Sequence, residues 1–269
     1  MYNCARTIGN LSIHRYTDGP RFGPQGPRMN IVLTNDDGYD AAGLHAAFDA
    51  LSGLGAVHVV APKAERSACS HTITLRRPIT VERRTHAGYG VSYAVDGTPA
   101  DCVRLAVSAL VDRPIGLIVS GINHGANAGV DTFYSGTVAG AREGAILGLP
   151  AIAVSQAMRG IEPNWPAATE ITASLIKDLL AEPLPGPGFW SINLPSPIPP
   201  DAHKQVQRVP LAIHPMPMTF DRSESDDGKL MEFDYGASYW LRDVTGPSDY
   251  SVIRDGGIAV TAIPLYGRF

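Results

Sequence analysis

Cysteine is scarce in this chain, and the little there is forms no pattern. Cys4, Cys69 and Cys102 include no CxxC pair, which excludes a disulfide framework and a thiolate zinc cluster and fits a reducing compartment. Each is expected to serve as a packing residue. No apolar run approaches the roughly 18 to 20 residues that cross a bilayer, and residues 1–28 lack the apolar middle segment of a secretory signal. The expectation is a cytoplasmic protein with no membrane partner. Positive charge is not in excess either: 22 Lys and Arg against 26 Asp and Glu give a formal net charge of −4. That argues against a basic face for gripping nucleic acid and leaves a small anionic substrate open. Two phosphate-binding fingerprints are missing as well. Neither a G-x-G-x-x-G after the first strand nor a G-x-x-x-x-G-K-[ST] occurs, which argues against dinucleotide-binding and ATP-driven classes.

What is present is enough for one sizeable core: 269 residues, 44% of them hydrophobic. The leader, residues 1–28, ends in a Gly/Pro-rich stretch and is expected to be a disordered extension, with Met29 a candidate initiator. From there, short apolar runs at 30–34, 57–61, 116–120, 151–155 and 190–194 read as buried strands. Helical patterns at 41–53, 99–111, 137–148 and 166–182 lie between most of them. Strands alternating with helices predict a Rossmann-like, doubly wound α/β core over 29–200, with a mostly parallel sheet covered on both faces. Residues 63–96 read as a β excursion within that core. The helical signal vanishes after about residue 200, so 201–269 is expected to form a smaller β-rich C-terminal arm that packs on the core or embraces another subunit.

In an open parallel sheet, ligands bind beyond the carboxyl ends of the strands. The first strand delivers Asn35, Asp36 and Asp37; the second leads to Ser67 and Ser70; the third leads to Asn123 and Asn127. Two adjacent carboxylates repel unless a cation holds them. With a hydroxyl and amide oxygens beside them, and no Cys or His at ligand spacing, they describe an all-oxygen site suited to Mg²⁺ or Mn²⁺ rather than zinc. On these residues alone a turn with a helix cap explains "NDDG" equally.

The segment "DTFYSGTVAGAREGAILG" opens a helix at Ser135-Gly136-Thr137, where free backbone N–H groups and the positive helix end suit a phosphate; plain N-capping is the alternative. Gly140, Gly144 and Gly148 repeat every four residues and are expected to permit close packing of helix on sheet. Thr98 and Pro99 read as an N-cap and first helical position. A phosphatase forming an aspartyl-phosphate usually carries Asp-x-Asp after its first strand. Here Asn35 precedes Asp37 by two and Gly38 follows Asp36 by two, so no covalent phosphoenzyme is expected.

The blocks "NIVLTNDDGYDAAGL", "VVAPKAERSACSHTITL", "VDGTPADCV", "LIVSGINHGANAGVDTFYSGTVAGAREGAILGLPAIAVS" and "INLP" resemble, in order and spacing, those of the SurE family of 5′-nucleotidases. The resemblance runs from about residue 29 to 195 and thins beyond it. It implies a metal-dependent phosphatase of nucleoside monophosphates, with action on 3′-nucleotides or short polyphosphate in some members, and a C-terminal arm used in oligomerisation, here a homodimer or homotetramer. It also implies the metal ligands Asp36, Asp37, Ser67 and Asn123, and phosphate contacts from Asn127, Gly136 and Thr137. Ser135 and Asp36 are then the expected catalytic residues. Of the histidines, His124 is a better acid candidate than His45 or His71. The family often carries a histidine near its C-terminal "TPL" block; Tyr266 stands there instead and is expected to be a weaker source of a leaving-group proton. A nucleotide- and metal-sensing module without turnover, or a phosphatase of another small phosphomonoester, is the alternative.

Because the leader shows no periodic apolar face, deleting residues 1–28 is expected to leave the melting temperature and activity nearly unchanged. A large loss of stability in a thermal melt of the truncated protein would overturn that expectation.

Overall fold

Uninterrupted apolar runs suit strands buried on both faces, and five of them build the centre of this structure. The computed structural model describes residues 29–266, apart from 183, 185, 228, 237 and 243; the leader lies outside the described residues. The central strands are β1 (Met29–Thr34), β2 (Gly55–Pro62), β5 (Ile115–His124), β6 (Ala151–Gln156) and β7 (Gly188–Leu194). Their side chains alternate between two cores. Ile31, Leu33, Leu117, Val119, Ile152 and Val154 face α1 (Ala42–Ser52) and α5 (Trp165–Leu180). Val32, Ile118, Ala151 and Ala153 face α2 (Pro99–Leu105) and α4 (Gly136–Ile146).

The main sheet has the order β3-β4-β2-β1-β5-β6-β7-β11-β8, where β3 (Val81–His86) and β4 (Gly90–Val95) are the predicted β excursion and β8 (Val206–Arg208) and β11 (Ile258–Pro264) come from the part after residue 200. Strands β4, β2, β1, β5, β6 and β7 are parallel throughout. The chain leaves β1 toward β2 on one side and returns later as β5 on the other. A crevice therefore opens beyond the carboxyl ends of β1 and β5, where connections diverge. The expected helix at 99–111 begins as the Thr98 capping box with Pro99 at N1 and ends in a π-helical turn, Ala106–Leu110.

After residue 200 the chain divides. Strands β8 (Val206–Arg208) and β11 (Ile258–Pro264) join the main sheet, β11 running antiparallel to β7 and parallel to β8. Strands β9 (Phe220–Glu224) and β10 (Met231–Tyr235) form a separate two-stranded antiparallel sheet. A short helix, α6 (Asp249–Arg254), stands where no helix was expected. Six residues are too few to show a helical period, but Ser248 and Ser251 close a reciprocal capping box at its start.

Tyr266 also departs from its expected place. Pro264 pairs with Gly188 at the start of β7, while Ala259 pairs with Asn193 near its end. Antiparallel β11 therefore carries the chain away from the crevice, and Tyr266 is not presented to its own chain's strand ends.

Helix α4 lies against β5 and β6, and two of its glycines leave room for its approach to β5. A Cβ on Gly140 would sit 2.7 Å from Ser120 Oγ, and one on Gly144 would sit 2.7 Å from Ile118 Cγ1. Gly148 does something else. It follows the helix with φ +79° and nothing within 4 Å of its Cβ position, which makes it a left-handed C-terminal residue rather than a packing contact.

Gly144→Val is accordingly expected to force α4 off the sheet and lower stability by about 1–3 kcal/mol or more. Gly53→Ala, at an open position with φ −79°, should be neutral or slightly stabilising. Urea melts of the two variants check this; equal effects would contradict the packing role.

Candidate functional site

Beyond β1 the chain makes a tight turn, closed by Asn35 Nδ2 donating to the Gly38 carbonyl at 2.9 Å. The turn faces Asp36 into the crevice at 4% exposure. Thr137, on the first turn of α4, donates its hydroxyl to Asp36 Oδ1. Asp37 accepts the backbone N–H of His124 at 3.0 Å, which ties the β1 end to the β5 end. Burial drives the Asp36 carboxyl up to about 6 from an ordinary 3.8; the neighbouring Asp37 adds to this, and the Thr137 hydrogen bond opposes it. Burial raises Asp37 too, against the His124 N–H bond. Among the described residues no lysine or arginine acts on either carboxylate, and His124 is the basic side chain that bears on Asp37.

The β5 end supplies Asn123, where a register shift in the pairing with β6 re-aims the strand. Its Nδ2 donates to the Gly125 carbonyl at 2.8 Å, which leaves Oδ1 as the amide's acceptor atom. That oxygen lies 3.3 Å from the Thr137 hydroxyl. Ser67 is exposed, with its hydroxyl on Glu65 at 2.6 Å. Ser70 pins the loop around it, taking the Tyr134 and Phe133 carbonyls through its N–H at 2.9 Å and its hydroxyl at 2.6 Å. His71 pairs with buried Glu143 of α4 at 2.7 Å.

Asp36, Asp37, Ser67 and Asn123 line one open cleft of about 210 Å³, together with Asn127 and Ser135. Asn127 is held by Ser155 and Asn193 at the ends of β6 and β7: its Nδ2 donates to Ser155 Oγ at 2.9 Å and its backbone N–H to Asn193 Oδ1 at 2.8 Å. Ser135 caps α4, its Oγ accepting the Val138 N–H at 3.0 Å, which leaves its own O–H free. Gly136 is pressed onto the carboxylate: a Cβ there would fall 2.9 Å from Asp36 Oδ2. Thr137 lies fully buried beside Asp36, with its hydroxyl spent on that carboxylate and not on the cleft wall. Of the three histidines, His124 lines the cleft, whereas His45 stacks with His86 and Tyr89 and His71 is bound to Glu143.

Sequence reading passed over Asp131, which also lines the cleft and pairs with buried Arg242 at 2.6 Å. Asp249, fully buried, accepts the Gly129 and Ala212 N–H groups, each at 2.7 Å. Ser155 and Asn193 carried a usable signal: each is a polar residue closing an apolar strand, as Asn123 is. Arg242 and Asp249 carried none, because the loop groups they hold, Asp131 and the Gly129 N–H, lie more than 100 residues away in sequence.

Among the described residues no three His, Cys, Asp or Glu side chains cluster as a metal site. The oxygens that do converge are two carboxylates, an amide oxygen and a hydroxyl. Two adjacent acids, Asp36 buried and Asp37 half-buried, neither ion-paired with a lysine or arginine among the described residues and both faced by neutral oxygen donors, fit a hard divalent cation. The adjoining free hydroxyl of Ser135 and the start of α4 fit an anion.

A family model described as Survival protein SurE matches residues 31–214. A putative 5′-nucleotidase of Nostoc sp. is 37% identical over 87% of this chain and 99% of its own length. A 5′-nucleotidase SurE of Myxococcus xanthus is 40% identical, covering 87% of this chain and 86% of the relative. The crystal structure of a SurE protein from Aquifex aeolicus superposes with a TM-score of 0.77 at 31% identity, over 89% of this chain and 94% of that one.

The Asp36 shift sets a pH dependence for the metal-free protein. A native carboxyl pKa above the unfolded value means the native state binds its proton more tightly. The ionised group therefore detracts from stability above about pH 6, and that loss disappears as the pH falls toward 3.8. In EDTA, Asp36→Asn should be more stable than wild type at pH 7–8, by up to about 3 kcal/mol, with the gap closing near pH 4. Equal melting temperatures at pH 8 would contradict the buried, unpaired carboxylate.

Proposed function

The chain belongs to the SurE family, and from that premise we propose that it hydrolyses nucleoside 5′-monophosphates as a divalent-metal-dependent phosphomonoesterase. The observation that carries the proposal is the pair of adjacent carboxylates, Asp36 buried and Asp37 half-buried, neither ion-paired with a lysine or arginine among the described residues, sharing a cleft with Asn123 and with the cap of α4. It is a 5′-nucleotidase, as its curated relatives are named; 3′-nucleotides and short polyphosphate are further substrates on this reading.

Asp36, Asp37, Ser67 and Asn123 would hold one Mg²⁺ or Mn²⁺ per subunit, which when bound supplies charge neutralisation and polarisation for the phosphoryl group. The protein's own groups do the rest. Ser135 keeps its oxygen on the Val138 N–H and turns its O–H toward a phosphoryl oxygen. Asn127, immobilised by Ser155 and Asn193, borders the same space, and the start of α4 at Gly136 adds a positive backbone potential there. Thr137 fixes the Asp36 carboxylate instead of touching the phosphate. Water attacks in line and the nucleoside departs as an alkoxide. His124, on the cleft wall, is the side chain best placed to meet that oxygen with a proton.

A separate two-stranded sheet is marginal on its own in water. Phe220, Met231 and Phe233 are all more than half exposed on β9 and β10, so we read this hairpin as the contact that makes a homodimer or homotetramer. Light scattering at micromolar concentration should give two or four chain masses, and Phe220→Asp with Phe233→Asp should give one. A monomeric wild type removes this assignment.

Phosphate release from AMP or GMP with Mn²⁺ should be steady and should fall to background in EDTA. Asp37→Asn should lose at least about 10²-fold in kcat/KM while keeping its fold by circular dichroism. Tight nucleotide binding without turnover would favour the sensing alternative, and EDTA-resistant turnover would remove the metal.

A further inference from the structure

The cleft is smaller than its proposed substrate. At about 210 Å³ it falls below the roughly 300 to 1,000 Å³ of pockets that enclose organic ligands. It takes a phosphate and part of a sugar, and leaves the rest of the leaving group at the rim. The rim is aromatic. Tyr134 lines the cleft one residue before Ser135, yet the residue is 58% exposed.

An exposed tyrosine on a loose turn would mean little, but this turn is fixed. It is α3 (Asp131–Tyr134), and its carbonyls are taken one after another. Arg142 Nη2 donates to Thr132 O at 2.7 Å, Ser70 Oγ to Phe133 O at 2.6 Å and Ser70 N–H to Tyr134 O at 2.9 Å. His124 lines the same cleft, its ring 6.4 Å from that of Trp165. A planar group emerging from the phosphate site therefore meets a ring on an anchored backbone, with a second planar ring in the lining of the same cleft.

We propose that Tyr134 is the platform on which the nucleobase of the substrate stacks, an inference that rests on the phosphomonoesterase reading above. A ring face contacts the π surface that every base has and reads no hydrogen-bonding edge. The enzyme therefore separates nucleotides from non-aromatic phosphomonoesters while tolerating all bases, with purines favoured by their larger stacking area.

The test compares AMP, CMP and ribose 5-phosphate, the last being the same phosphorylated sugar without a base, on folded variants assayed with Mn²⁺. Tyr134→Ala should raise KM for AMP by about 5- to 20-fold, raise that for CMP less, and leave KM for ribose 5-phosphate and all three kcat values near wild type. Tyr134→Phe should preserve the wild-type pattern, since the ring face is kept. Phe133→Ala removes an equally exposed aromatic, 66% exposed, on the same turn but off the cleft wall, and should change none of the ratios. If Tyr134→Ala shifts AMP and ribose 5-phosphate by the same factor, or shifts neither, the platform is overturned while the phosphatase reading stands. If the wild type turns over none of the three, the phosphatase reading falls and takes the platform with it.

Discussion

Two adjacent carboxylates held at the end of a buried strand, with no lysine or arginine among the described residues paired to either, are the constraint around which this structure is arranged. Desolvation at Asp36 is strong enough to bring its carboxyl to about 6, and the surrounding groups offset only part of it. The Thr137 hydroxyl, the His124 N–H and the start of α4 all bring positive partial charge to the pair. None is a full charge. Such a pair is poorly placed for stability and well placed to receive a cation, the kind of local conflict that folds retain where they do chemistry.

The rest of the architecture serves the approach of α4 to that turn. Glycines at 140 and 144 let the helix lie on Ser120 and Ile118, and Gly136 lets its first turn touch Asp36. Were the helix a side chain's width further out, Thr137 could not reach the carboxylate and Ser135 would cap a helix aimed elsewhere. The loop between β5 and α4 is held from the other end of the sequence. Arg242, buried and stacked over Tyr239 at 4.3 Å, pairs with Asp131, and Asp249 takes the Gly129 and Ala212 N–H groups. Residues after 200 therefore do two jobs: they complete the main sheet through β8 and β11 and they brace the loop that carries Asn127.

The parallel core was legible because its strands are unbroken apolar runs and its helices are long enough to show a period. The four oxygen donors were legible because they lie at or shortly beyond the ends of those strands, and polar groups there are local signals. Thr137 was noticed as part of a helix start, yet its task at Asp36 depends on how closely two elements approach, which no local pattern records. Asp131, Arg242 and Asp249 escaped for the same reason: their partners are distant in sequence. The path of β11 was hidden because nothing in "GGIAVTAIPL" says which sheet edge it joins or in which direction. That direction moves Tyr266 from the expected reaction centre to the far end of the sheet.

The central claim is that the Asp36–Asp37 pair is completed by one divalent cation. Calorimetric titration of Mn²⁺ into EDTA-treated, dialysed protein tests it without reference to turnover. One equivalent should bind per chain, with binding abolished in Asp36→Asn and restored weakly or not at all by Mg²⁺ in that variant. Wild-type stoichiometry and affinity in Asp36→Asn would contradict the account, because the carboxylates would then be buried for some other reason.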